Sequence, residues 1–244
     1  MKQKIAIVMG ATSGMGREIA KLFARNGYQV GVAGRRENLL IELKNEEPSI
    51  IAYQAIDVNS EDAAHQLQCL IDKLGGLDVY FHSSGIGYQN IPLDATKELS
   101  TAATNVVGFT RMVDAAFSYF SHVGHGQIAV ISSIAGTKGL GAAPAYSASK
   151  AFQSTYIESL SQLATIRKLK IRFTEIRPGF VGTDLLNDGA TYPMLMNKAS
   201  VARKAFHAVC KQRRVVIIDW RYRLLVALWR LVPHRLWTKL PIHT

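Results

Sequence analysis

The sequence predicts an α/β fold: a doubly wound parallel sheet of about seven strands, covered by helices on both faces. Two observations lead there. Short β-branched runs recur at residues 5–9, 29–33, 50–55, 79–83, 127–132, 170–176 and 215–218, and apolar residues between them fall at helical spacing, as at Ile19, Leu22 and Phe23 or Leu67, Leu70, Ile71 and Leu74. Such alternation builds a parallel sheet with a helix packed after each strand. A chain of 244 residues that is 48% hydrophobic can also bury one large core, and no repeat, low-complexity tract or linker divides it before about residue 215. In this architecture ligands bind beyond the carboxyl ends of the strands.

The first strand runs into "MGATSGMGREIAKLF", with glycines at 10, 14 and 16 just before a helix. Glycines there let the backbone turn tightly and approach a pyrophosphate, whose charge the free amides and dipole of a helix start favour. The second strand ends in "VAGRREN". A dinucleotide fold that prefers NAD places an acid here against the ribose hydroxyls, whereas this chain has Gly34 followed by Arg35 and Arg36. With no carboxylate to repel it, a phosphate can be clamped by a guanidinium. NADP(H) is therefore expected over NAD(H), the alternative being two arginines on a solvated helix start. Asp57 in "AIDV" follows the third strand, placed either to accept from an adenine amino group or to cap the next helix, for which Asn59 and Ser60 are better suited.

The fourth strand ends in "HSSG", His82 to Gly85, where a histidine reads as structural. The fifth ends in "VISSIAG", setting Ser132 and Ser133 at its carboxyl edge, and the next helix opens with "PAYSASKAF". Tyr146 and Lys150, four apart, share one face of that helix. A free phenol has a pKa of about 10, and a nearby ammonium is expected to lower it toward the working pH. Tyr146 would then exchange a proton with a carbonyl or alcohol oxygen, while Ser133 hydrogen-bonds that oxygen as charge develops on it.

In order along the chain, the glycine loop, Asp57, Asn105 in "ATNVVG", Ser133, the pair Tyr146 and Lys150, and "RPGFVGT" at residues 177–183 resemble the short-chain dehydrogenase/reductase family over about residues 4–218. The resemblance implies a Rossmann-like fold, hydride exchange with a nicotinamide, and catalytic roles for Asn105, Ser133, Tyr146 and Lys150. Asn105 is implied to distort its helix and hold a water that relays protons to Lys150. Cofactor contacts are implied from Gly10, Thr12, Ser13, Gly14, Met15, Gly16, Arg35, Arg36, Asp57, Val58, Ser84, Gly85, Tyr146, Lys150, Pro178, Gly179, Val181 and Thr183. Pairing into a homodimer or homotetramer, through helices at about residues 99–120 and 146–167, is implied as well. Two motifs depart from the family pattern: Met9-Gly10 replaces Thr-Gly, and "HSSG" replaces Asn-Asn-Ala-Gly. Both changes are expected to alter loop hydrogen bonding rather than remove activity.

Composition narrows the setting. Cys69 and Cys210 cannot form a disulfide framework and lack metal-ligand spacing, and "MKQKIAIVMG" enters a strand directly rather than through a signal peptide. A reducing, cytoplasmic setting without a bound metal is expected. Of the net charge of +11, residues 203–244 hold +9, from ten Lys/Arg and one acid. Residues 1–218 are read as a dinucleotide-binding catalytic domain and 219–244 as a basic, Trp-rich amphipathic extension containing all three tryptophans. If residues 221–232 are helical, Arg223 and Arg230 share a narrow polar face opposite Leu224, Leu225, Leu228, Trp229, Leu231 and Val232. That pattern suits peripheral contact with a membrane interface through residues 219–240; docking on the core, on a partner subunit or over the substrate pocket are the alternatives. Nucleic acid is not an expected partner, because the cations are interleaved with leucine and tryptophan and no binding motif accompanies them.

The segment 185–198 contributes Leu185, Leu186, Tyr192, Met194, Leu195 and Met196. These are expected to line a lipophilic pocket, core packing of some of them being the alternative. The expected function is an NADP(H)-dependent oxidoreductase interconverting a lipophilic ketone or aldehyde and its alcohol. A 3-oxoacyl-thioester reductase and a non-catalytic dinucleotide-binding regulator are the alternatives, and retention of Asn105, Ser133, Tyr146 and Lys150 argues against the regulator.

Overall fold

The computed structural model describes residues 3–186 and 192–242. Strands β1 (Ile5–Met9), β2 (Gln29–Gly34), β3 (Ile50–Ala55), β4 (Val79–His82), β5 (His125–Ile131), β6 (Lys170–Pro178) and β7 (Val215–Ile218) form one sheet in the order β3-β2-β1-β4-β5-β6-β7. Every pairing is parallel. The chain steps outward from β1 to β3 and then returns to the other side of β1, so a crevice opens between the carboxyl ends of β1 and β4.

The helices are α1 (Gly14–Arg25), α2 (Glu37–Glu46), α3 (Ala63–Leu74), α4 (Ala95–Ala102), α5 (Phe109–Val123), α6 (Pro144–Ile166), α7 (Lys198–Cys210), α8 (Trp220–Leu231) and the short α9 (His234–Trp237). Strand alternation divides the core in two. In β1, Ala6 and Val8 face a cluster with Ile19 and Phe23 of α1, Leu40 and Leu43 of α2, and Val201 and Ala205 of α7. Ile5, Ile7 and Met9 face the other way, toward Leu67 and Leu70 of α3, Met112 and Phe117 of α5, and Ile157 and Leu160 of α6. Burial on both faces explains why the central strands are nearly unbroken apolar runs. Pro144 opens α6, where its missing N–H costs nothing and its fixed φ suits a first turn.

Two strand ends differ from the expected ones in a way that matters for the site. β5 stops at Ile131, so Ser132 and Ser133 lie just beyond the sheet rather than within it. β6 continues to Pro178, because Arg177 and Pro178 still pair with Ile217 and Ile218 of β7.

The segment from residue 219 onward docks on the core. Tyr222 and Val226 of α8 are buried in the cluster beneath α1 and α7. The Tyr222 hydroxyl accepts from Phe180 N at 3.1 Å and donates to Pro193 O at 3.0 Å. Trp229 Nε1 donates to Thr137 Oγ1 at 2.9 Å, Trp237 Nε1 to Gly139 O at 2.7 Å, and Lys138 Nζ to Val232 O at 2.9 Å. The wide apolar side expected of this helix is thereby split: Leu225 and Trp229 pack inward, while Leu224, Leu228 and Leu231 stay exposed.

Truncating Tyr222 to Ala should cost about 3–5 kcal/mol in urea unfolding, as for other large buried rings. Tyr222→Phe, which leaves Phe180 N without its acceptor, should cost about 1–3 kcal/mol. Wild-type stability in both variants would mean that α8 is not part of the cooperative core.

Candidate active site

The phosphate end of the crevice is built where β1 turns into α1. Gly10 has φ of +85°, and a Cβ there would meet Ser84 N at 2.6 Å, so only glycine fits between this turn and the segment after β4. Ser13 precedes α1 without capping it through its side chain. Its Oγ and Thr12 Oγ1 instead each accept from Arg36 Nη2 at 2.8 Å. Arg36 thus reaches from the end of β2 across the loop, with Arg35 exposed beside it. At Gly34 a Cβ would come within 2.8 Å of Thr12 Cγ2, so an acidic side chain has no room there unless Thr12 moves. A turn closed to a Cβ at Gly10 and Gly16, a helix start behind it and a guanidinium at its rim fit a dinucleotide phosphate.

The remaining cofactor residues fall around this crevice. Gly14 and Gly16 lie in the first turn of α1, and Met15 packs partly against the core. Asp57 is exposed and its Oδ1 accepts from Asn59 N at 3.0 Å, so it closes a local turn and does not cap α3, which starts after Asp62. Val58 is buried and its carbonyl accepts from Arg111 Nη1 at 2.6 Å. Thr183 comes within reach of the glycine loop, its Cβ 3.6 Å from a Cβ built on Gly14. Val181 turns its side chain into the core and forms an isolated β-bridge with Met196.

At the other end, four elements converge. Between α4 and α5 the helix widens into a π turn, Ala103–Gly108, centred on Asn105. The fully buried Asn105 side chain accepts from Ile86 N at 2.9 Å and donates to Ile86 O at 2.6 Å and to Ser149 Oγ at 3.0 Å. Ser149 Oγ donates in turn to Tyr146 O at 2.8 Å. Lys150 Nζ donates to Ile131 O at 3.1 Å and to Gln153 Oε1 at 3.0 Å, while Gln153 Nε2 donates to the Asn105 carbonyl at 2.9 Å. The distorted helix is as the resemblance implies. The buried Gln153 amide also joins Lys150 to the Asn105 carbonyl. Gly85 lies over this group, its ideal Cβ position 3.2 Å from Asn105 Oδ1 and 3.6 Å from Lys150 Nζ, next to Ser84.

The two serines after β5 divide their work by alternation. Ser132 Oγ donates to Glu175 Oε1 at 2.6 Å. Ser133 Oγ accepts from Ala135 N at 3.1 Å and donates to Pro178 O at 3.5 Å, close enough to the Tyr146 phenol to favour its charged form. Glu175 on β6 also accepts from Ser154 Oγ at 2.6 Å and forms an ion pair with Arg177 at 2.7 Å. Burial works to raise this carboxyl, but the bonds from Arg177, Ser132 and Ser154 outweigh it and leave it below the usual carboxylate range. Sequence reasoning missed Glu175 and Gln153. Their available signals were a Glu-x-Arg pair on one face of a central strand and a polar residue one helical turn beyond Lys150.

The expected downward shift of Tyr146 is not what the geometry produces. Burial pushes the phenol up, and the Ser133 hydrogen bond offsets only part of this. Lys150 Nζ stands 5.7 Å from the ring centroid and spends its hydrogen bonds on Ile131 and Gln153. Burial pushes Lys150 itself down to about 8, with Glu175 pulling the other way. His82, buried and sharing a hydrogen bond with Tyr80 at 2.9 Å, is held down to about 3 by burial and by Lys150. It is a neutral structural residue, as expected.

Of the expected pocket residues, Met196 and Met194 pack in or against the core and Tyr192 lies against Phe180 at 4.8 Å. Leu185 and Leu195 remain exposed and Leu186 partly so. Residues 187–191 of the same segment lie outside the described residues.

A model of the short chain dehydrogenase family matches residues 4–191. An uncharacterized oxidoreductase of Myxococcus xanthus is 30% identical over 245 residues, covering 97% of this chain and 95% of its own. Among solved structures, a short chain dehydrogenase/reductase from Burkholderia phymatum in complex with NAD superposes with a TM-score of 0.81 at 19% identity, covering 93% of this chain and 92% of its own. An actinorhodin polyketide ketoreductase with NADPH gives 0.76 at 23% identity, covering 88% and 95%.

The one charge acting on Lys150 is that of Glu175; the neutral His82 ring and the Tyr146 phenol are the other titratable groups near it. Turnover of a probe ketone should therefore fall as pH rises through about 8, where Lys150 loses its proton. Glu175→Gln removes the group that favours the ammonium, so this alkaline limb should move to lower pH. An unmoved limb would reduce Glu175 to a tie between β6 and α6.

Proposed function

The chain belongs to the short chain dehydrogenase family, and we propose that it is an NADP(H)-dependent reductase of a lipophilic ketone or aldehyde. Oxidoreductase chemistry with a nicotinamide dinucleotide follows from the family. The finer reading is carried by one observation: the Tyr146 phenol stands beside the Ser133 hydroxyl and the buried Lys150 ammonium, whose Nζ is 5.7 Å from the ring centroid.

When bound, the dinucleotide supplies the hydride. Gly10, Gly14, Gly16, Thr12 and Ser13 would hold its phosphates and the PG segment, Pro178 to Thr183, would lie along its other end. Ser133 Oγ orients the carbonyl oxygen, and Tyr146 donates its phenolic proton to that oxygen as negative charge develops. A phenol kept protonated by burial suits this donor role. Lys150 keeps a positive charge close to the phenolate left behind. Asn105, locked to Ile86 and Ser149, fixes the helix that carries Tyr146.

The preference for NADP(H) is supported by Arg36 over the loop and by Gly34 in place of an acid, where a Cβ would crowd the Thr12 side chain. A lipophilic substrate is supported by exposed Tyr88, Ile91, Leu93, Leu185 and Leu195. The fold shared with a 3-ketoacyl-(acyl-carrier-protein) reductase from Brucella melitensis keeps a 3-oxoacyl-thioester as the second reading. Pairing of two copies belongs to the same proposal, supported by Leu99, Val107 and Ile166 exposed on α4 to α6.

Tyr146→Phe should lower turnover at least about a hundredfold, the scale of a lost proton donor, with NADPH affinity by fluorescence titration little changed; a matching loss of affinity would mean a binding role instead. Arg36→Ala should weaken NADPH by about ten- to a hundredfold, the worth of charge-assisted phosphate bonds, and leave NADH nearly unaffected. Equal weakening of both would remove the phosphate-clamp argument.

A further inference from the structure

Six of the nineteen large apolar side chains exposed among the described residues fall between 220 and 240: Trp220, Leu224, Leu228, Leu231, Leu236 and Leu240. The first four recur at helical spacing along α8, so they form one stripe. This stripe is not loose chain. Its opposite face is fixed to the core by Tyr222, Val226, Trp229 and Trp237. Its edges are basic: Arg223, Arg230, Arg235 and Lys239 are all exposed, and the one acid of the region, Asp219, is paired with Arg221 at 3.0 Å.

We propose that the outward face of α8 and α9 docks on an anionic lipid surface, with the stripe at the level of the headgroups and the flanking cations on their phosphates. Charge selects this occupant. Residues 219–240 carry five Arg/Lys against one acid, a net +4, so a second copy seated on this face across a two-fold axis would bring like charge against like charge, whereas anionic headgroups neutralise it. Tryptophan and leucine beside arginine suit the boundary between headgroups and acyl chains. At twelve residues α8 is shorter than a membrane span, which suits a helix lying in the interface plane.

Docking there would bring the active site to the lipid. Trp229 and Trp237 bond to Thr137 and Gly139, in the segment that joins Ser133 to Tyr146. Asn90 N donates at 2.8 Å to Ala142 O of that same segment, which ties in the loop bearing exposed Ile91 and Leu93. The docking rests on the surface alone; the delivery of a membrane-dissolved carbonyl to Tyr146 rests on the function proposed above.

Flotation of the full chain tests the docking without any substrate. With vesicles of equal parts phosphatidylcholine and phosphatidylglycerol the protein should float, less so as salt is raised, and it should stay at the bottom with phosphatidylcholine alone. Leu224→Glu with Leu228→Glu should lower partitioning about a hundredfold or more, the worth of two leucines withdrawn from an apolar phase, with thermal melt, gel-filtration volume and NADPH binding unchanged. Arg230→Glu with Arg235→Glu, on exposed positions that do not pack, should abolish the preference for anionic vesicles and serves if the leucine pair fails to fold. Wild-type protein that ignores both vesicles overturns the proposal, and a fall in oligomer mass on Leu224→Glu with Leu228→Glu would assign the stripe to a second copy.

Discussion

An ammonium group held almost out of water organises the catalytic half of this molecule. Lys150 is only 5% exposed, and burying a charge is costly unless partners replace the lost hydration. Three elements supply them: the last carbonyl of β5, the Gln153 amide one turn along α6, and the field of Glu175 from β6. Each partner is itself fixed, Gln153 by the carbonyl of the π turn and Glu175 by Ser132, Ser154 and Arg177. The helix distortion at Asn105 and the ion pair on β6 are therefore parts of one device that keeps a cation beside a phenol.

The cofactor half works by exclusion of volume. Gly10 leaves no room for a side chain against the Ser84 backbone, and Gly34 leaves room for one only if the Thr12 side chain moves. What the first absence opens is a path for backbone to approach a phosphate. The second removes the site of a competing carboxylate and leaves Arg36 to define the rim.

Much of this was legible in the sequence because it depends on short-range spacing. The strands alternate with helices as their apolar periods require, and all seven appear where β-branched runs place them, differing at most by two residues at an end. The glycine loop, Ser133, Tyr146 and Lys150 reach one crevice because each follows a strand or opens a helix at the same edge of the sheet. What spacing could not supply was the outcome of competition in three dimensions. Tyr146 and Lys150 are neighbours on a helix, yet burial decides the phenol's direction because Lys150 directs its bonds elsewhere. A helical projection of residues 221–232 shows one apolar side, but only the packing of Tyr222 and Trp229 reveals which half meets the core. Glu175 and Gln153 left only faint local signals, Arg177 two residues along one strand and Lys150 one helical turn away, and neither signal says that β5, β6 and α6 bring them into one network.

The Gln153 amide also decides how the ammonium is held as conditions change. A carboxamide donates and accepts without titrating, so the bond from Lys150 to Gln153 and the bond from Gln153 to the Asn105 carbonyl keep their partners while neighbouring carboxylates change charge. The placement of Lys150 is thereby separated from its protonation: Gln153 and the Ile131 carbonyl fix where the nitrogen sits, and Glu175 biases whether it carries its proton.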